Sequence, residues 1–267
     1  MIPEPGPEDR ARLPAIFNAA AEDYQRSRPV SPAELFDDLV ELAGLAPGAR
    51  VLEIGPGTGQ ATVPLASRGL AVTAVEPGAA LAAVARRRLA DLPNARVVTS
   101  TFEAWEPDGG PFDAVLACNS LHWVDPALRY RRPAELIRDG GHMIVISTQW
   151  AAAPDAERFW ADVQEDYRAV DFPGDPHPAL DAIGPSHLPP DAAAFFAEVA
   201  ARTYPFRRVY TADEYLANLG TQTGPAQLGP ERRAEFLERV RRRLAGWPRL
   251  TATFVARLTV GRRHSGM

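Results

Sequence analysis

A short apolar segment that ends in alternating glycines constrains the fold of this chain more than any other feature. Residues 51–59 read Val-Leu-Glu-Ile-Gly-Pro-Gly-Thr-Gly, which predicts a buried strand followed by a tight turn. Glycine lacks a Cβ and tolerates positive φ, so Gly55, Gly57 and Gly59 let the backbone approach a nucleoside closely. Gln60 occupies the position of the third glycine in a dinucleotide pattern, which disfavours a dinucleotide. A plain strand–turn–helix connection is the alternative.

A second strand that ends in a carboxylate supports the nucleoside interpretation. Residues 71–75 are rich in β-branched side chains and lead into Glu76 and Pro77, after which a helical pattern begins. A carboxylate at the tip of the second strand of an α/β unit is placed to accept both ribose hydroxyls. The alternative is a solvated glutamate at a strand end. Because Glu76 occurs together with the glycine turn, the binding site is favoured.

Apolar strands that alternate with helical patterns predict an α/β fold with a doubly wound, Rossmann-like, seven-stranded and mostly parallel sheet. The predicted strands are residues 50–55, 71–76, 96–99, 112–117, 142–147, 204–210 and 250–260. Helices are predicted near residues 14–27, 155–169, 190–201, 212–219 and 229–245. A further helix is predicted to begin at Ser31, whose hydroxyl would cap it, with Pro32 in the first turn and Glu34 completing a capping box.

Four segments follow from this pattern. Residues 1–48 are predicted to form an N-terminal helical lid, and residues 49–149 the nucleoside-binding core. Residues 150–203 are predicted to form a helical cap over the substrate, with a proline-rich loop at 171–178. Residues 204–267 would then complete the sheet.

Composition excludes several classes of function. The net charge is −5, which gives no reason to expect nucleic acid or a membrane surface as a partner, and the arginine run at residues 86–88 is predicted to be a solvated helix face. Lysine is absent, which excludes a Schiff-base mechanism, and the single Cys118 excludes an internal disulfide. No spacing predicts a metal site. No segment resembles a membrane span or a signal peptide, so we expect a cytoplasmic protein. We also expect it to be a monomer or a homodimer.

Several motifs together resemble one enzyme family. The glycine turn with Glu53 resembles motif I of class I S-adenosylmethionine-dependent methyltransferases. Residues 112–115 and 118–126 resemble the fourth-strand motif of small-molecule methyltransferases related to trans-aconitate methyltransferase. Residues 24–32 and 210–223 are similar to the N-terminal and C-terminal signatures of the same group. The resemblance implies S-adenosylmethionine as cofactor and S-adenosylhomocysteine as product.

The resemblance also implies which side chains bind each part of the cofactor. At the methionine end, Glu53 would orient the amino group, Tyr24 or Arg28 would close over the carboxylate, and Asn119 would lie beside the sulfonium. At the nucleoside end, Glu76 would hold the ribose. The full implied set is Tyr24, Arg28, Glu53, Gly55, Gly57, Gly59, Glu76, Pro77, Thr101, Phe102, Glu103 and Asn119, of which residues 101–103 stand at the adenine position.

His122 is the candidate catalytic residue because it directly follows the fourth predicted strand and its intrinsic pKa is near 6.5. It either removes a proton from the methyl acceptor, or only orients the acceptor, or packs beside Trp123 to hold the cofactor pocket. Trp123 and Trp150 are predicted to contact the substrate together with His122. His177 is predicted to be a loop residue without a partner. Aromatic side chains in the cap favour an apolar or aromatic acceptor, although such rings also build helix cores.

The predicted function is methyl transfer from S-adenosylmethionine to oxygen, nitrogen or carbon of a small molecule, in specialised metabolism. Two other classes stay open. One is a non-methylating enzyme that binds the same cofactor and catalyses a cyclisation or rearrangement. The other is a binding or regulatory protein that retains only the cofactor site. Formation of demethylated cofactor in the presence of an acceptor distinguishes methyl transfer from both.

Overall fold

The computed structural model describes residues 6, 18–172 and 177–266, apart from the side chains at positions 223 and 226. Part of the predicted first helix and part of the predicted loop at 171–178 therefore lie outside the described residues. The chain divides into two compact units. We call residues 30–148, 185–204 and 256–267 the sheet unit, and residues 1–29, 149–184 and 205–255 the aromatic unit.

Seven strands form one sheet in the order β3-β2-β1-β4-β5-β7-β6, and β1 to β5 run parallel to one another. The strands are β1 Arg50–Ile54, β2 Ala71–Glu76, β3 Ala95–Thr99, β4 Phe112–Cys118, β5 Ile137–Ala151, β6 Phe196–Tyr210 and β7 Leu250–Arg263. The predicted Rossmann-like, seven-stranded and mostly parallel fold is confirmed. The three long strands contribute residues to both units.

The described α-helices precede, separate and connect these strands along the chain. They are α1 Ala21–Ser27, α2 Ala33–Leu42, α3 Thr62–Ser67, α4 Ala79–Arg88, α5 Arg131–Leu136, α6 Glu157–Ala169, α7 Ala212–Gly220, α8 Thr223–Gln227 and α9 Pro230–Leu244. The predicted helices at 155–169, 212–219 and 229–245 correspond to α6, α7 and α9 within two residues. No described helix is both long enough and apolar enough to cross a bilayer.

The register of the central strands brings their carboxyl ends to one edge of the sheet unit. Ile54 at the end of β1 lies opposite Val75 of β2 and opposite Ala117 of β4. These residues are buried among apolar neighbours on both faces, as expected for parallel strands. The loops that leave β1, β2 and β4 therefore begin side by side, which positions the candidate site.

The segment at 190–201 differs from its prediction as a helix. Its alanines favour a helix locally, but from Phe196 onward the backbone belongs to strand β6. Phe196 is 2% exposed and packs in the core of the sheet unit, so tertiary pairing overrides local propensity.

The predicted cap at Ser31 is also wrong. Pro32 occupies the N-cap position of α2 with extended backbone angles, and no side chain in the described part of the chain caps the helix. A capping box instead opens α7. There the Thr211 hydroxyl accepts from the Glu214 N–H, while the Glu214 carboxylate accepts from the Thr211 N–H at 2.9 Å.

The aromatic unit has a hydrophobic core of its own. Phe159 and Val163 of α6 pack with Phe236 and Val240 of α9, and each of the four is at most 1% exposed. Full burial of such side chains contributes about 1.5–3 kcal/mol each relative to exposure. This burial stabilises the packing of α6 against α9.

Thr211→Ala is expected to lower the free energy of unfolding by about 1 kcal/mol, because it removes the capping hydroxyl of α7. Ser31→Ala is the matched control and should leave stability within about 0.5 kcal/mol of the wild type, since Ser31 caps no helix. Urea denaturation of both variants measures the difference. Equal losses would mean that the capping box does not stabilise α7.

Candidate active site

The turn after β1 requires glycine at the position where the chain leaves the strand. Gly55, Gly57 and Gly59 have φ values of 63°, 58° and 81°, in the left-handed region. A Cβ at Gly55 would lie only 2.8 Å from the Cβ of Ser120. The Gly55 N–H donates to the Val75 carbonyl at 2.9 Å, which fixes the start of the turn against β2.

Glu76 joins the tip of β2 to this turn. It is 4% exposed, and its two carboxylate oxygens accept hydrogen bonds from the Gly57 N–H at 2.9 Å and the Gly78 N–H at 2.8 Å. Burial raises the pKa of Glu76 to about 6, and the two backbone hydrogen bonds oppose that rise. Each oxygen has a second lone pair, so the carboxylate can still accept hydroxyl groups from a ribose.

Glu53 is a second buried carboxylate, near the end of β1. It is 1% exposed, and one oxygen accepts from the Thr62 hydroxyl of α3 at 2.6 Å. The other oxygen, Oε1, is buried and has no partner among the described residues. Burial raises the pKa of Glu53 to about 7, with the Thr62 hydrogen bond opposing this rise and the Glu76 charge adding to it. A cationic ligand group would satisfy this unpartnered oxygen.

The middle of the glycine turn is held from α4. Arg88 Nη1 donates to the Thr58 carbonyl at 2.8 Å, and burial lowers the pKa of this half-buried arginine. The prediction of a fully solvated face at residues 86–88 is therefore wrong at Arg88. The Thr58 hydroxyl itself is buried and has no partner among the described residues, which adds a second unmet polar atom beside the turn.

Asn119 and Ser120 shape the end of β4. Asn119 has φ of 54°, and its side-chain oxygen accepts from the Thr148 N–H at 2.7 Å. Its backbone N–H donates to the Ile146 carbonyl at 2.8 Å, so this polar side chain is held in one orientation. The Ser120 hydroxyl donates to the Ile54 carbonyl, which ties the tips of β4 and β1 together.

His122 and Trp123 follow on a single 3₁₀ turn, Leu121–Trp123. The imidazole is exposed, and its ring centroid lies 4.9 Å from that of Trp123. The buried guanidinium of Arg129 donates to the backbone carbonyls of His122 at 3.4 Å and of Val124 at 3.3 Å. The backbone beneath His122 is therefore fixed while its side chain faces solvent.

The predicted adenine-contact residues differ in their surroundings. Phe102 is 4% exposed and belongs to the core of the sheet unit. Thr101 is exposed, and its hydroxyl accepts from the Ala104 N–H at 3.2 Å. The Glu103 carboxylate accepts from the Asp125 N–H at 3.1 Å, which links this turn to the segment after β4.

Tyr24, Arg28 and Trp150 belong to the aromatic unit, so their contribution to the same site stays a prediction. The Arg28 guanidinium lies 4.8 Å from the centroid of the Tyr24 ring. It also donates through Nε to the Thr221 hydroxyl at 3.2 Å and bonds the Thr221 carbonyl. Pro77 is exposed beside Glu76 in the sheet unit.

Sequence reasoning missed two polar residues that support the site, Thr62 and Ser120. Each makes its contact through the tertiary fold, to Glu53 and to the Ile54 carbonyl, and no local pattern marks either residue. No group of three or more candidate ligands for a metal ion occurs among the residues that the structure describes.

Comparison with known proteins identifies the central part of the chain. A family model described as a methyltransferase domain matches residues 51–141, from β1 into β5. These residues are therefore similar in sequence to a methyltransferase domain. The cofactor of such a domain is S-adenosylmethionine, as the motif resemblance implies, and the relationship to the trans-aconitate methyltransferase group stays a prediction.

Named relatives agree with this identification. An uncharacterised methyltransferase of Mycobacterium tuberculosis is 37% identical over 134 residues, which are 50% of this chain and 52% of that protein. A protein-L-isoaspartate O-methyltransferase of Methylorubrum populi is 38% identical over 143 residues, 51% of this chain and 64% of that protein. The chain thus spans about half the length of the first of these relatives and under two thirds of the second.

A solved structure extends the likeness in fold beyond the matched domain. A protein from Anaeromyxobacter dehalogenans, described as a putative type II methyltransferase, superposes with a TM-score of 0.58 and 24% identity. The superposition covers 88% of this chain and 97% of that one. The fold of that protein is therefore shared over most of this chain.

Gly55→Ala is expected to destabilise the protein more than Gly140→Ala. Both glycines have positive φ, at 63° and 71°, so both substitutions incur backbone strain of about 1–2 kcal/mol. Among the residues that the structure describes, the new methyl group meets a neighbour at residue 55 and none at residue 140, which adds about 1–3 kcal/mol of overpacking at residue 55. Chemical denaturation of the pair measures the excess. The same loss in both variants would contradict the close approach of Ser120.

Proposed function

We propose that this protein transfers the methyl group of S-adenosylmethionine to a small-molecule acceptor. The observation that supports this proposal most directly is the pair of buried carboxylates, Glu53 and Glu76, around the glycine turn of a methyltransferase domain. Glu53 has an oxygen without a partner among the described residues, available for the amino group, and each Glu76 oxygen has a further lone pair for the ribose hydroxyls. The glycines leave the backbone open to the methionine part.

The cofactor supplies an activated methyl group on its sulfonium when it is bound. The residues of the protein then have three tasks, which are to bind, to align and to exclude water. Asn119, held by Thr148 and by the Ile146 carbonyl, is the side chain that we assign to the sulfonium end. Tyr24 and Arg28 are assigned to the carboxylate, which a guanidinium binds through charge-assisted hydrogen bonds.

We assign His122 as the base for acceptors that must lose a proton. Its exposed imidazole follows β4, where the carboxyl ends of the strands open to ligands. Trp123, packed against it, and Trp150 are assigned to substrate contact. The acceptor is proposed to be an apolar or aromatic compound of specialised metabolism, methylated on oxygen, nitrogen or carbon. S-adenosylhomocysteine would leave as the second product.

A non-methylating enzyme on the same scaffold is the alternative. The two functions differ in one observable, because only methyl transfer converts S-adenosylmethionine to S-adenosylhomocysteine in proportion to the acceptor consumed. Incubation with S-adenosylmethionine and a panel of aromatic alcohols, amines and acids, followed by mass spectrometry, tests this directly. Acceptor conversion without S-adenosylhomocysteine would favour the alternative and contradict the proposal.

Glu76→Gln is expected to weaken the binding of S-adenosylhomocysteine by about 1–3 kcal/mol, because the hydrogen bonds to ribose lose their charge. Isothermal titration calorimetry gives the affinity without a methyl acceptor. Glu106→Gln is the matched control, since Glu106 is 82% exposed and pairs only with Arg132 at 3.5 Å among the described contacts of its carboxylate. Equal affinities of the two variants would place the ribose elsewhere.

The affinity for S-adenosylhomocysteine is expected to rise between pH 6 and pH 8. The pKa of Glu53 is raised to about 7, so its carboxyl group is protonated below that pH and ionises above it. Only the ionised form attracts the ligand's ammonium group, and affinity therefore increases as the proton leaves. Glu53→Gln should remove the part of the slope near pH 7 and keep any part due to Glu76. An unchanged slope would exclude Glu53 as the partner of the amino group.

His122→Asn is expected to lower kcat by about 100-fold or more with an acceptor that must be deprotonated, and to remove a titration near neutral pH from the rate profile. The affinity for S-adenosylhomocysteine should stay the same. His187→Asn changes another exposed histidine of the sheet unit and serves as the control. A raised KM with the pH profile intact would show instead that His122 only orients the acceptor.

A further inference from the structure

Three rings of the aromatic unit form a compact group, which we call the three-ring cluster. The Trp150 and His177 rings stack with centroids 5.2 Å apart and planes inclined by 23°. The Trp160 ring lies 5.0 Å from His177 and 5.6 Å from Trp150. His177 lies outside the helices and strands, as predicted, but the prediction that it has no partner is wrong, because its ring packs against two indoles.

Further rings enclose the cluster. The Phe254 centroid lies 4.5 Å from that of Trp150, and Phe159 and Tyr215 lie 5.0 Å and 5.7 Å from Trp160. Phe159, Tyr215 and Phe254 are each at most 2% exposed. The surroundings of the cluster are thus aromatic and apolar, which suits flat apolar molecules.

Two polar atoms of the cluster have unmet hydrogen-bonding capacity. Trp160 Nε1 and His177 Nδ1 are shielded from solvent, and neither has a hydrogen-bond partner among the described residues. A buried polar group left in this state costs about 1–3 kcal/mol. Phenylalanine would fill either position without that cost. Packing alone therefore does not account for an indole and an imidazole that lie side by side in one core.

The chemistry of these two atoms defines the ligand that fits them. An indole N–H only donates, so the ligand must present an acceptor. Burial lowers the pKa of His177 to about 4, so its ring is neutral at pH 7 and provides no charge to compensate an anion. Neutral imidazole nitrogen either donates or accepts according to tautomer, which admits both a carbonyl and a hydroxyl oxygen.

We propose that the three-ring cluster binds an uncharged aromatic molecule whose carbonyl or hydroxyl oxygen accepts a hydrogen bond from Trp160 Nε1 and pairs with His177 Nδ1. As the substrate class of the enzyme, this assignment rests on the proposed function. Binding itself is a property of the aromatic unit and is measured without cofactor. A bound water molecule at the two nitrogens is the competing explanation.

Two probe molecules of nearly the same shape test the proposal on the wild-type protein. Acetophenone has the required carbonyl oxygen, and ethylbenzene lacks it. In protein labelled with ¹⁵N-tryptophan, acetophenone should shift the indole N–H resonance of Trp160 downfield in a saturable manner, with an affinity at least tenfold higher than that of ethylbenzene. The Trp160→Phe variant assigns the resonance, because its signal disappears there.

Variants separate the polar contacts from the general apolar core. His177→Phe should weaken acetophenone binding at least fivefold while ethylbenzene binds as before. Trp247→Phe is the matched control, since Trp247 packs on Phe159 in the same core at 5.8 Å but has no part in the three-ring cluster. It should leave the preference for acetophenone unchanged.

Equal affinities for the two probes, or a Trp160 resonance that neither probe shifts, would overturn the proposal and leave a buried water as the partner of the two nitrogens. Calorimetry with S-adenosylhomocysteine on the same sample separates this result from failure of the proposed function. Cofactor binding without acetophenone binding rejects the three-ring cluster as a site. Acetophenone binding without cofactor binding supports the site and contradicts the methyltransferase activity.

Discussion

Two backbone N–H groups, from Gly57 and Gly78, hold the buried carboxylate of Glu76, and the candidate site depends on this interaction. A carboxylate in an apolar interior is unfavourable unless hydrogen bonds compensate its lost hydration. The Gly57 N–H reaches Glu76 only because the turn after β1 has positive φ at its glycines. The parallel register of β1 and β2 brings the two strand ends level. The same strand pairing therefore determines both the fold and the position of the site.

Glu53 is a second buried carboxylate beside Glu76. Its burial costs free energy of folding, and the fold itself does not require it. The pKa values of Glu53 and Glu76 are raised to about 7 and about 6, chiefly by burial. In the native state both groups hold protons more tightly than in the unfolded chain, so their contribution to stability falls as the pH rises from about 4.5 through these values. A cationic, hydroxyl-bearing ligand would relieve this cost, and our proposal that the pair binds the cofactor rests on this.

The parts of the fold that the sequence could predict are those encoded by local patterns. Continuous apolar runs locate β1, β2 and β4, and the glycine spacing locates the turn and the carboxylate that it holds. The cap at Ser31 was not predictable in this way, because the extended backbone of Pro32 delays the start of α2. β6 begins within an alanine-rich stretch whose helical propensity loses to sheet pairing.

The supporting side chains of the site escaped sequence reasoning for a related reason. Thr62 and Ser120 act on residues 9 and 66 positions away, so only the folded chain reveals their contacts. His177 likewise becomes part of an aromatic core through packing with Trp150 and Trp160. The strand ends specify which cofactor chemistry is accommodated, while the aromatic unit holds the rings from which we infer the acceptor.

A crystal structure of the protein with S-adenosylhomocysteine tests the central claim most directly. The account predicts that the ribose hydroxyls donate to the Glu76 carboxylate, at about 2.5–3.0 Å, while the Gly57 N–H keeps its hydrogen bond to the same group. The ligand's ammonium group should lie against Glu53 Oε1. A nucleoside bound away from the glycine turn, with Glu76 contacting only the backbone, would contradict the account.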